Sequence, residues 1–178
     1  MDYNLLATSE PINAGRASRE LWMNLRAISD ESPRVDKSRV KGIIIAHTTL
    51  APVEAVHGLR NLMKAEPKRF HFVYRVMPVM RWVPTDITCI VDAVRELSTH
   101  VDVDDSFRVT LEKRRTGLGS LEIIEPVAEV LDNPVDLESP DWVILVEVVG
   151  KDTGISVIKP EDTLNIQKEK YNLSKNRQ

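Results

Sequence analysis

Between Tyr3 and Met77 the hydrophobic pattern switches repeatedly between a period of two and a period of 3.6, and this switching restricts the fold more than any other feature. Tyr3 to Ser9 is a short apolar run stopped by Glu10-Pro11, which reads as a strand and its end. From Asn13 to Ser29 the residues Ala17, Leu21, Leu25 and Ile28 recur at helical spacing, with Trp22 widening the stripe; Pro33 closes the region. Val40 to Thr48 carries Ile43, Ile44 and Ile45 in a row, the pattern of a strand buried on both faces. Pro52 suits the first turn of a helix reaching about Ala65, with Val53, Val56, Leu59 and Met63 inward. Phe70 to Met77 then alternates as a strand, and Pro78 ends its pairing or sits at a sheet edge.

If Arg34 to Lys37 pairs with the following strand, the order is βαββαβ, a ferredoxin-like arrangement with two helices on one sheet face and the other face open. A different grammar begins after Val83-Pro84. Thr85 is placed to cap a helix whose stripe is Ile87, Ile90, Val91, Val94 and Leu97. Past an acidic loop at Asp102 to Asp105, Phe107 to Lys113 alternates: Phe107, Val109 and Leu111 face a core, while Arg108, Thr110, Glu112 and Arg114 face away. Gly117-Leu118-Gly119-Ser120 leads into a helix carrying Leu121, Ile124, Ala128 and Leu131, which Pro126 should kink or shorten. Strands at Asp141 to Val149 and Gly154 to Lys159 follow, joined by a turn at Gly150-Lys151-Asp152. The tail has few apolar residues and is expected to be loose, with at most a short helix. The expectation is an α+β chain divided at 1–83, 84–164 and a basic tail at 165–178.

Few function classes survive the composition. One cysteine, Cys89, excludes a disulfide framework and any cysteine-based zinc site. No apolar run approaches the length of a bilayer span, and Met1-Asp2-Tyr3-Asn4 lacks the basic segment of a signal peptide, so a cytoplasmic location is expected. His47, His57, His71 and His100 show no metal-binding spacing, and Cys89 has no basic neighbour to lower its pKa. Gly117-Leu118-Gly119 lacks the third glycine of a dinucleotide loop, and no phosphate-binding Gly-Lys-Ser or Gly-Lys-Thr occurs. No metal, no cofactor and no catalytic group is therefore expected.

The net charge of −3 hides a segregated distribution. From Arg60 to Arg81 six cations, Arg75 among them, face Glu66 alone, whereas Thr116 to Gly150 holds eight carboxylates and no Lys or Arg. Arg108, Lys113, Arg114 and Arg115 are mounted on a strand whose inward residues hold it in a sheet, so their placement costs less entropy than placement on a loop. Ser120 starts a helix just beyond them, where free amides favour a phosphate. A capped helix beside solvated arginines fits the same residues.

Several further motifs tip that balance. Asn4-Leu5-Leu6-Ala7-Thr8-Ser9, Glu20-Leu21-Trp22, Phe107-Arg108-Val109 and Glu112-Lys113-Arg114 are followed by Val135-Asp136-Leu137 with Pro140. Val146-Glu147-Val148, Gly154-Ile155-Ser156-Val157 and Lys170-Tyr171-Asn172-Leu173 complete the series. On these the chain resembles the free-standing THUMP-domain proteins that assist cytidine acetylation of transfer RNA (tRNA). The resemblance implies an N-terminal ferredoxin-like domain before an α/β THUMP domain. It also implies binding at the tRNA acceptor stem and 3′ end, and presentation of that tRNA to a separate acetyltransferase. On this reading the chain is an adaptor and not an enzyme, and tRNA is gripped in a cleft between the domains. Arg75 and Arg81 line one side, Arg108, Lys113, Arg114 and Arg115 the other, and Lys151 and Lys159 extend the surface. Two alternatives stand beside it: a protein-interaction or dimerisation module with incidental RNA contact, and an enzyme acting on a small phosphorylated substrate.

Overall fold

The computed structural model describes residues 2–175 and divides into two compact units, 1–78 with 161–178, and 79–160. In the first unit the elements run β1 (Leu5–Thr8), α1 (Ala14–Ala27), β2 (Arg34–Lys37), β3 (Ile43–His47), α2 (Pro52–Ala65) and β4 (Arg75–Pro78). Arg34 to Lys37 does pair with the following strand, and the antiparallel sheet order β2-β3-β1-β4 is the ferredoxin-like one. Its core joins Leu5, Ala7, Ile44 and Ala46 of the sheet to Leu21 and Leu25 of α1 and to Leu59 and Met63 of α2. Full burial of each leucine contributes about 1.5–3 kcal/mol. The alternate residues Leu6, Ile43, Ile45 and Met77 are buried as well, so the three isoleucines mark two-sided burial and the sheet face expected to be open is not exposed. Gly42, at φ +78°, makes the β2–β3 turn where an added Cβ would lie 2.7 Å from the Ser9 carbonyl oxygen.

Two expectations fail in this unit. The strand expected from Phe70 begins only at Arg75, because the amides of His71, Phe72 and Val73 bond to the Glu20 carboxylate (2.8–3.2 Å) and not to a neighbouring strand. The tail expected to be loose from 165 onward is built into the fold. Leu164–Asn165 forms a short strand on β4, and a ten-residue helix, Ile166–Lys175, follows it. Leu164 and Ile166 are the anchors, both buried in the first core, and Arg60 of α2 meets Glu169 at 2.9 Å. Asn176, Arg177 and Gln178, part of the expected basic tail, lie outside the described residues.

The second unit starts earlier than the expected boundary after residue 83. β5 (Arg81–Pro84) pairs with β8 (Asp152–Ile158), which carries Arg81 out of the N-terminal unit. Its other elements are α3 (Ile87–Leu97), β6 (Phe107–Arg114), α4 (Ser120–Ala128) and β7 (Trp142–Val149). The sheet order is β5-β8-β7-β6, with β6 parallel to β7 at the edge and the other pairs antiparallel. Ile90 and Val94 of α3 and Ile123 and Val127 of α4 cover one face, on Phe107, Ile144, Val146 and Ile155.

Local corrections follow from capping and proline. Asp86, not Thr85, caps α3, its carboxylate accepting from the Cys89 amide at 3.1 Å, while the Thr85 hydroxyl meets that of Thr153. α4 ends two residues after Pro126, and its buried pair is Ile123 and Val127; the expected Leu121 is exposed.

Candidate nucleic-acid interface

The cations expected to act together are separated by the register of β6. At its C-terminal end Arg114 stands opposite Val149, and its carbonyl accepts from the Gly150 amide at 2.8 Å. That bond sets the β7–β8 turn, with the exposed Lys151, beside Arg114 and Arg115. Lys113 is exposed too, and its ammonium donates to the Leu118 carbonyl at 2.8 Å, tying the strand end to the loop that enters α4 at Ser120. Lys113, Arg115, Lys151 and Ser120 thus share one end of the second sheet.

Arg108 stands opposite Val143 at the other end of the strand, six residues and about 20 Å from Arg114. Lys159 belongs to that far end, because Ile158 is also opposite Val143; its ammonium lies 3.8 Å from the Trp142 ring centroid. Arg81 pairs with Glu96 at 2.8 Å, and Arg75 begins β4 in the first unit.

Two of these residues have structural duties. Arg114 is only 22% exposed and holds Glu147 at 2.7 Å, a carboxylate that is itself 1% exposed. A signal for this pair stands in the sequence: Glu147 is the one charge in the apolar run Val143 to Val149, and a buried charge needs a partner. Arg108 donates to the Leu137 carbonyl at 3.1 Å, while its Nε is buried with no hydrogen-bond partner among the described residues.

The glycine-rich turn differs from the expected phosphate cradle. The Gly119 amide donates to the Glu122 carboxylate and the Leu118 amide to the Thr116 hydroxyl, so two donors are satisfied within the turn. Other members of the acidic stretch also have local partners. Asp136 accepts from the amides of Glu138 and Ser139. The Ser106 amide and hydroxyl, aided by the Lys159 charge, hold the Asp141 carboxyl below the usual range against a smaller push from burial.

Nucleophilic chemistry finds little here. Burial, then the Asp86 carboxylate, pushes the Cys89 thiol up and keeps it protonated at neutral pH. His57 meets Asp162 at 2.8 Å within the first unit, linking α2 to the returning segment. No group of three metal-ligating side chains occurs among the described residues, and none of their helices is long and apolar enough to cross a membrane.

The fold agrees with the comparisons to known proteins. Residues 84–158 match the profile of the THUMP domain. The chain therefore carries a THUMP domain, preceded by a ferredoxin-like unit. No curated protein matches the sequence. Among solved structures, PH1313 from Pyrococcus horikoshii superposes with a TM-score of 0.62 at 20% identity, over 88% of this chain and 54% of that one. TrmN from Thermus thermophilus gives 0.55 at 20% identity, over 88% and 46%. A 4-thiouridine synthetase, crystallised with RNA and ATP, gives 0.54 at 15% identity, over 92% and 42%. The chain spans about half the length of these proteins, and what it shares with them is the fold.

Proposed function

We propose that the chain binds tRNA at the acceptor stem and 3′ end through its THUMP domain, and presents it to a separate tRNA cytidine acetyltransferase. The observation that carries the RNA reading is the set of exposed cations Lys113, Arg115 and Lys151 at one end of the second sheet, within a segment matching the THUMP domain. Two strand ends and a tight turn mount these cations, so little backbone freedom is lost when a phosphate docks. Structured RNA presents phosphates, ribose hydroxyls and shape to such a surface, and bases only at its unpaired ends. A 4-thiouridine synthetase of the same fold is held in complex with RNA, which supports the choice of ligand. The acetylation partner rests on the sequence resemblance alone.

In this reading the chain supplies binding and orientation, and the acetyltransferase supplies the chemistry. Arg115, Lys113 and Lys151 are the proposed primary phosphate contacts, with Ser120 beside them. Arg108, Lys159 and Arg81 of the same unit are secondary contacts, and Arg114 is kept for its ion pair. Purified acetyltransferase with and without the chain tests the adaptor role. Acetylation of tRNA should rise severalfold when the chain is added and fall back with a tRNA lacking its acceptor stem. Equal acetylation in all three conditions excludes the role.

A further inference from the structure

We infer that the first unit holds a nucleotide pocket of its own, between the exposed face of α1 and the segment from Arg69 to Phe72. A cavity of about 300 Å³ lies there, at the small end of the range for ligand pockets. Arg16, Arg19 and Met23 line it from α1, where their spacing of three and four residues stacks them on one face. Phe72 lines it from the facing segment, with the Arg16 guanidinium 5.5 Å from its ring centroid.

The wall opposite α1 is held rigidly. Glu20 accepts hydrogen bonds from three successive amides, those of His71, Phe72 and Val73, and so sets the backbone that carries the ring. Buried Asn24 donates to the Arg69 carbonyl at 3.3 Å, and Lys170 donates to the Phe70 carbonyl from the other side. These contacts also decide the charge of the pocket. Three peptide donors satisfy the oxygens of Glu20, the one carboxylate in the lining, which keeps its charge, and Arg69 is paired with Glu66 at 2.7 Å. Arg16 and Arg19 are exposed and have no acidic partner among the described residues. What is left is an apolar wall with an aromatic ring and a net positive lining, Arg16 and Arg19 outweighing Glu20.

That chemistry selects a flat, apolar-faced group carrying an anion: a base against Phe72 and Met23, with its phosphate on Arg16 and Arg19. Stacking on an aromatic side chain tolerates any base, while the arginines require the phosphate. Two sources offer such a group, a free nucleoside monophosphate and an unpaired nucleotide at the end of an RNA. The pocket lies wholly within the first unit and does not depend on the role proposed for the THUMP domain.

Calorimetric titration of the full chain separates these cases. The ligands are AMP, inorganic phosphate, and an RNA hairpin with and without a four-nucleotide 3′ overhang. The variants are Arg16→Ala and Arg19→Ala, at exposed helix positions where alanine is well tolerated, and Phe72→Leu, which keeps an apolar contact with the core. We expect each variant to weaken binding about tenfold, either for AMP or for the overhang's added affinity, and the arm affected identifies the source. Inorganic phosphate should bind more weakly than AMP and ignore Phe72→Leu. The inference is overturned if AMP and overhang binding are both insensitive to all three variants, or if phosphate matches whichever nucleotide ligand responds to them. Loss of the blunt-hairpin signal alone counts against the THUMP-domain reading and leaves this pocket untouched.

Discussion

At the end of β6, Lys113 and Arg114 are neighbours in the chain with opposite duties. The strand's alternation sends them to different faces: Lys113 to solvent near Leu118, and Arg114 onto the buried Glu147. Removing Arg114 therefore takes the cation from a carboxylate out of contact with water, a change that costs about 3–5 kcal/mol when a buried pair is broken. Arg114→Ala should lower the melting temperature sharply, and an Arg114→Leu, Glu147→Leu double variant should recover much of the loss. A melting curve for Arg114→Ala that matches the parent would show that the pair contributes nothing. In sequence, Arg114 looks like its basic neighbours. Only the lone acid on β7 distinguishes it, and that acid lies 33 residues away.

Most strands and helices were legible because hydrophobic periodicity follows directly from the side a residue faces. The three isoleucines of β3 and the alternation of β6 led to the observed elements. The misreadings occurred where a distant group captured a local one. Glu20 takes the amides of 71–73 and so removes the start of the expected β4 strand. The end of the chain is the larger case. Residues 164–175 are polar enough to read as a tail, yet two buried anchors, Leu164 and Ile166, and one ion pair to α2 fix them. Leu164→Ala should cost about 2–5 kcal/mol through lost burial and the cavity left behind. Equilibrium denaturation checks this, and an unchanged midpoint would mean that the segment is peripheral to the first unit.

Across the whole molecule, the chain leaves the ferredoxin-like unit after residue 78, builds the THUMP-containing unit, and returns at residue 161 to finish the first. Sequence reading had two complete domains in succession, because patterning identifies elements but carries no signal for which sheet a short edge strand joins. The short strands at 81–84 and 164–165 were not read as strands, and the boundaries after 83 and 164 fell where they did for that reason. The candidate site was legible as a list of cations and not as an arrangement. Register decides that Lys151 lies beside the end of β6 while Arg108 lies a strand length away, and register is a property of the folded sheet.

The central claim is that Lys113, Arg115 and Lys151 grip RNA phosphates. Its most direct test is the salt dependence of binding to an acceptor-stem hairpin, compared for the parent chain and a Lys113→Ala, Lys151→Ala double variant. Both positions are exposed and neither lies in a core. The parent should show a steep slope, prefer the hairpin and intact tRNA over a DNA duplex, and lose about 0.7–0.9 units of slope for each lysine removed. A folded double variant with the parent's affinity and slope would contradict the claim.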